Sequence, residues 1–150
     1  MKKQNILFVC KHNVFRSKIA EAYFNKNNKN NNFRIKSAGI IRADVISDVE
    51  KKIIKFQRET AREFGINVEE SSTPLSINLL KEQDMIIIVA DDVPPKIFKN
   101  PFYLKPDLKV VTWKIPDVKG DKNDVALIKE DIKKIMKKVK QLIKKLEKSK

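Results

Sequence analysis

Two apolar runs without a polar interruption, Ile6-Leu7-Phe8-Val9 and Met85-Ile86-Ile87-Ile88-Val89-Ala90, constrain the fold more than any other feature of this chain. A strand with one wet face alternates apolar and polar residues, whereas a run apolar at every position must be covered on both faces, as central strands of parallel sheets are. The first strand is expected over Asn5 to Val9 and the third over Asp84 to Ala90. Segments with helical spacing separate the strands, and the order β-α-β-α-β-β-α predicts an α/β protein: an open parallel sheet with helices on both faces. Such sheets bind ligands beyond the carboxyl ends of their strands, where the strand order reverses.

The intervening segments fill this scheme. A helix is predicted from Ser17 to about Asn25, with Ile19, Ala20, Tyr23 and Phe24 inward and Ser17 as N-cap. The Asn/Lys tract from Asn25 to Asn32 ends it as a surface loop. Phe33 to Ser37 alternates as an outer strand and breaks at Ala38-Gly39. A second helix is expected from Ser47 or Asp48 to Phe64, with Val49, Ile53, Phe56 and Ala61 inward and Gly65 as its stop. Ser71-Ser72-Thr73-Pro74 predicts an exposed turn, followed by a short helical turn. The last strand runs from Lys109 to Thr112 into Trp113. A terminal helix from Asp124 or Val125 to Lys148 buries Ile128, Ile132, Ile135, Val139, Leu142 and Leu146.

The only cysteine of the chain, Cys10, stands where the first strand ends and five residues before Arg16-Ser17. Three features of that placement favour a thiolate: the unpaired N–H groups of a helix start, the charge of Arg16, and the Ser17 hydroxyl as a donor to sulfur. The same turn, Lys11-His12-Asn13-Val14-Phe15, can wrap its amides around a tetrahedral oxyanion while the guanidinium grips two oxygens. Nucleophilic attack on phosphorus is the chemistry this implies. Asn13 suits such a loop because it tolerates unusual backbone angles. A bare Cys-x5-Arg spacing arises often by chance, and a free cysteine is commonly just core. The preceding strand, Ser17 and the following helix together make the catalytic reading the stronger one.

This Cys-x5-Arg-Ser turn directly after the first strand resembles the phosphate loop of the low-molecular-weight protein tyrosine phosphatase family, and Ser37-Ala38-Gly39 resembles the end of that family's second strand. The resemblance implies a four-stranded parallel sheet in the order 2-1-3-4, with Ser37 and Asn13 supporting the loop. It also implies Asp117, in the loop after the last strand at Pro116-Asp117, as general acid, and no metal or other cofactor. The implied activity is hydrolysis of phosphate monoesters, protein phosphotyrosine above all, through a phosphocysteine. Phosphate-like oxyanions would inhibit it. Without the resemblance Asp117 reads as a turn aspartate. His12, Phe15 and Lys18 depart from the family's usual glycine, small residue or cysteine, and proline. His12 is matched in arsenate-reductase-like members, and it is expected to supply a backbone N–H rather than an acid or base. Val118 and Lys119 stand where the family places aromatic residues, so Phe15, Trp113 or Tyr103 would have to provide an aromatic wall.

Three competing readings arise. Asp91-Asp92 at the end of the third strand could hold magnesium for phosphoryl transfer, although capping and turn formation before Pro94-Pro95 explain them more simply. A lone cysteine excludes an internal disulfide relay, so an arsenate reductase would need an external thiol. A non-catalytic oxyanion-binding module is the third possibility.

Composition bounds the rest. At 150 residues the chain suits one domain, enough to bury roughly two thirds of its unfolded surface. There is no charged-then-apolar leader, no apolar run able to span a bilayer and no disulfide framework, which predicts a soluble cytoplasmic protein, monomeric or weakly dimeric. Lys and Arg number 33 against 19 acids, a net charge of +14. The lysines are scattered, and the densest run, Lys133 to Lys150, keeps helical apolar spacing, so it reads as the wet face of a helix rather than a nucleic-acid or membrane surface.

Overall fold

The computed structural model describes residues 3–42, 47–118 and 124–148. Lys119, which the sequence placed beside the acid, and the end of the basic run at residues 149–150 lie outside them. In chain order the elements are β1 (Gln4–Cys10), α1 (Arg16–Asn27), β2 (Phe33–Gly39), α2 (Asp48–Glu63), α3 (Ile77–Leu80), β3 (Met85–Val89), a 3-10 turn (Pro95–Phe98), β4 (Lys109–Trp113) and α4 (Asp124–Lys148). All strand pairs are parallel and the sheet order is β2-β1-β3-β4, so β1 and β3 are the central strands.

Every residue of Ile6–Cys10 and Met85–Val89 is buried because the two sheet faces feed two cores. Ile6, Phe8, Ile87 and Val89 point to one, where α1 and α4 pack with Ile19, Phe24, Ile132 and Ile135. Leu7, Val9, Ile86 and Ile88 point to the other, closed by Leu80, Phe98 and Leu104. Each fully buried aliphatic or aromatic side chain contributes about 1.5–3 kcal/mol, so the two runs alone hold the sheet centre rigid. That rigidity fixes where β1 ends. Among the described residues no helix is long and apolar enough to cross a membrane.

Four local expectations are corrected. Ser17 is not an N-cap: α1 begins at Arg16, Phe15 occupies the cap position without a side-chain hydrogen bond, and the Ser17 hydroxyl is engaged elsewhere. β2 does not break before Gly39 but pairs with β1 through Cys10↔Gly39. Val49 and Phe56 of α2 face outward, 69% and 40% exposed. The residues α2 buries are Gln57, Thr60 and Ala61, because its inner face is the stripe Ile53, Gln57, Thr60, one turn apart along the helix. The N-terminus of α2 is fixed by Ser47 as N-cap, its Oγ accepting from the Glu50 N–H. The Asp91-Asp92 pair does not cap the turn that follows, whose cap residue is Pro94.

Candidate active site

β1 delivers Cys10 to the sheet rim, and Lys11 to Phe15 turn the chain into α1. Asn13 takes φ +56°, the one described non-glycine residue on the left-handed side, and its side chain is wholly buried. Its amide is the hub of the turn. Nδ2 donates to Ser17 Oγ at 2.7 Å and to Ser37 Oγ at 2.9 Å, while Oδ1 accepts from the Thr73 N–H at 2.9 Å. Ser72 Oγ donates to the Asn13 carbonyl at 3.0 Å, and Ser37 Oγ donates to Glu21 Oε1 at 2.7 Å. Buried bonds of this kind cost more to leave unmade than they gain when made, so the network specifies one loop conformation.

Ser17 Oγ lies 3.0 Å from Cys10 Sγ. Because Oγ already accepts from Asn13, its proton is available to the sulfur, the direction that favours a negative nucleophile. Among the described residues, no turn or loop hydrogen bond uses the N–H of Lys11, His12, Asn13, Val14 or Phe15. Those amides, together with the start of α1, are donors open to an anion.

Gly39 explains why the second strand can lie this close. A Cβ there would sit 2.6 Å from the His12 carbonyl carbon and 2.8 Å from the Asn13 nitrogen, both backbone atoms of the turn. The constraint is close approach and not backbone sign.

Arg16 is 4% exposed and held on one side. Its Nη1 donates to the Ile115 carbonyl at 3.0 Å and to Asp92 Oδ1 at 3.1 Å, with Asp91 Oδ1 at 3.9 Å. Nη2 meets Asp117 Oδ1 at 3.8 Å. Burial works against this charge, but the negative groups at Cys10, Asp117 and Asp92 outweigh it and raise the Arg16 pKa above the ordinary guanidinium value. The side of the guanidinium not tied to Asp92 and Ile115 remains to bind two oxygens of an oxyanion.

One cleft is lined by Cys10, Arg16 and Asp117 together, with Phe15, Val118 and Gln57 among its walls. His12 and Val14 border it as well, and Lys11 precedes them on the turn. Of the three aromatic candidates only Phe15 reaches this cleft. Trp113 packs on Phe8 in the core, and Tyr103 packs against the opposite cluster, because β4 and the loop before it turn those rings inward. Three contributions were missed from the sequence. Asp92 orients Arg16, Glu21 closes the hydrogen-bond chain, and Ser72-Thr73 brace Asn13 where only an exposed turn was expected. Among the described residues no group of three His, Cys, Asp or Glu side chains is arranged to hold a metal ion.

The profile of low molecular weight phosphotyrosine protein phosphatases matches residues 5–150. The chain belongs to that family. No curated protein matches it by sequence. Among solved structures, an arsenate reductase from Archaeoglobus fulgidus is 26% identical with a TM-score of 0.60, covering 92% of this chain and 98% of that one. A low molecular weight protein tyrosine phosphatase from Bacillus subtilis is 23% identical with a TM-score of 0.71, covering 97% and 98%. A thioredoxin-dependent arsenate reductase from Corynebacterium glutamicum is 24% identical with a TM-score of 0.64; the match takes in 99% of this chain but only 64% of that longer one. Membership of this phosphatase family supports an enzyme of phosphatase or arsenate-reductase type, and the fold is that of the low molecular weight phosphatases.

One group behind the site has an energetic cost. Asp131 of α4 is completely buried, and neither carboxylate oxygen has a hydrogen-bond partner among the described residues. Burial raises its pKa to about 7; Arg16 and then Lys134 pull it down, while Glu130 and Asp117 push it up. The folded state therefore holds this proton more tightly than the unfolded chain, where the carboxyl titrates near 3.8. The stability linked to that proton is complete below about pH 4 and is lost as pH rises to about 7. Asp131→Asn, which stays neutral, is expected to match the parent near pH 4 and to exceed it by roughly 2–4 kcal/mol at pH 8. Denaturant unfolding of both proteins across that range checks this; a difference that does not grow with pH refutes it.

Proposed function

We propose that this chain is a cysteine-dependent phosphoric monoester hydrolase of the cytoplasm, with protein phosphotyrosine as its main substrate class and small phosphate esters as surrogates. The observation that carries the reading is the 3.0 Å contact between Cys10 Sγ and Ser17 Oγ inside a turn of uncommitted amides, with Arg16 and Asp117 on the same cleft.

In this reading the loop amides from Lys11 to Arg16 and the Arg16 guanidinium hold three phosphate oxygens, which leaves phosphorus facing the sulfur. The Cys10 thiolate attacks in line, a sulfur–phosphorus bond forms and the oxygen–phosphorus bond to the leaving group breaks. Asp117 gives its proton to the departing oxygen. In the second half the Asp117 carboxylate takes a proton from water, the water oxygen bonds to phosphorus, and sulfur departs as thiolate. Arg16 and the amides act on the equatorial oxygens in both transition states, where charge is spread. Ser17, Asn13 and Ser37 keep the turn in one shape. No cofactor is needed for any of these steps.

A second reading is an arsenate reductase, favoured by the 26% identity to the Archaeoglobus enzyme. Cys10 is the only cysteine in the chain, so that version depends on an external thiol to release the arsenocysteine. Two assays on the purified protein separate the readings: phosphate release from phosphotyrosine, phosphoserine and p-nitrophenyl phosphate, and arsenate-dependent oxidation of added thiol. Phosphate release blocked by vanadate, with phosphate protecting Cys10 from iodoacetate, is the expected outcome. Thiol oxidation that outpaces ester hydrolysis would replace the phosphatase reading.

A further inference from the structure

Gln57 lies on the inner face of α2, 4% exposed, and lines the cleft shared by Cys10, Arg16 and Asp117. Its amide makes no hydrogen bond to any described residue. Its amide atoms are not sealed from solvent, and the side chain lines the cleft, which puts a donor and an acceptor within reach of what the cleft holds. An amide this buried costs free energy unless something bonds it, and the chemistry proposed for the site has an unfilled requirement of that kind.

The requirement lies in the second half of the reaction. The leaving group of the first half needs one proton, from Asp117. The water that replaces it needs its lone pair aimed at phosphorus, one hydrogen on the Asp117 carboxylate and an acceptor for the other hydrogen. Apolar walls such as Ile53, Ile54 and Val118 cannot provide one. Glu50 is exposed at the mouth, and its Oε1 already accepts the Ser47 hydroxyl at 3.0 Å. His12 belongs to the turn that grips the phosphate and is half-exposed. Gln57 combines burial, an unused acceptor and an unused donor on the wall of the same cleft.

We infer that Gln57 holds the attacking water, with its Oε1 accepting the hydrogen that Asp117 does not take, so that it acts in hydrolysis of the phosphocysteine and not in its formation. This rests on the phosphatase reading above. Atoms balance as already written: the sulfur–phosphorus bond breaks, the oxygen–phosphorus bond forms, Asp117 gains one proton, and the hydrogen on Gln57 leaves with inorganic phosphate.

The test uses the whole chain with p-nitrophenyl phosphate. Gln57→Leu and Gln57→Met keep the bulk of the side chain and remove both polar atoms, and circular dichroism shows which of them fold as the parent does. Should both misfold, Gln57→Asn, which withdraws the amide by one methylene, gives the same readout. The expected result is a nitrophenolate burst at a rate within about 3-fold of the parent, followed by a steady state lowered about 10-fold, as loss of one aligned hydrogen bond gives. With glycerol present, the ratio of nitrophenolate to inorganic phosphate should rise, because alcohol then competes better with misplaced water. A purely structural role would slow burst and steady state together and leave that ratio fixed; a leaving-group contact would slow the burst alone. Either result overturns the inference while leaving the parent's activity intact. A parent that shows no Cys10-dependent phosphate release overturns the phosphatase reading itself, and this inference with it.

Discussion

Cys10→Ser is expected to lower phosphate release by at least ~10⁴-fold, to the background of the assay, while the protein still binds vanadate or inorganic phosphate. The two halves of that expectation come from different atoms. Turnover needs a polarisable sulfur that can carry negative charge as nucleophile and as leaving group, and an alcohol in the same place does neither well. Binding needs the open amides of the turn and the side of Arg16 away from Asp92 and Ile115, which the substitution leaves in place. Serine is close in size, and Ser17 Oγ can still meet a hydroxyl where it now meets sulfur 3.0 Å away. Phosphate release by malachite green and vanadate binding by calorimetry read the two halves separately. Residual turnover near one per cent of the parent would show that the nucleophile is another group. Loss of anion binding along with turnover would show that sulfur holds the turn together, and the chemical role would then lack support.

How much of this site could be read from the sequence depends on whether a residue's task is local. The buried runs of β1 and β3 were legible because burial on both faces leaves a mark at every position, and the terminal helix because five of its six expected inward residues are buried. Cys10, Arg16 and Ser17 were legible as a group because a strand, a tight turn and a helix start bring them together within eight residues. The unusual backbone angle at Asn13 was anticipated from its tolerance of such angles, and φ +56° agrees with it. What failed were tasks set by distant partners. Ser17 looked like an N-cap because serine before an apolar helix usually is one; the sulfur and the Asn13 amide compete for the same hydroxyl. Asp92 looked like a turn former or metal ligand because its partner, Arg16, is 76 residues away. Val49 and Phe56 fit a helical repeat, but the face of α2 that turns inward carries Gln57 and Ile53, which line the cleft, and Val49 and Phe56 are exposed. Ser72 and Thr73 carry turn chemistry in any sequence, and nothing local shows that their bonds go to Asn13.

Asp117→Asn is expected to slow hydrolysis by about 10²–10⁴-fold for phosphate esters with strongly basic leaving groups, and far less for p-nitrophenyl phosphate. The geometry makes asparagine a clean replacement. Asp117 Oδ1 accepts the Val118 N–H at 3.0 Å and faces Arg16 Nη2 at 3.8 Å, so the amide oxygen can retain the first contact and part of the second. The second oxygen is the one available to carry a proton, and the side chain is 40% exposed, so it can reach a leaving group at the cleft mouth. In asparagine that position is an NH₂, able to hydrogen-bond the departing oxygen but not to protonate it. A leaving group stable as an anion needs no proton and should notice the change little; a tyrosyl or alkyl oxygen should suffer most. The dependence of log kcat/KM on leaving-group basicity should therefore steepen in the variant, with thermal stability near that of the parent. The Arg16 contact is the alternative cause to separate. If Asp117 acted mainly by orienting that guanidinium, every substrate would lose the same factor and the slope would not move. A uniform loss would transfer the role from proton donor to positioning group, since Asp92 and the Ile115 carbonyl already anchor the other side of Arg16.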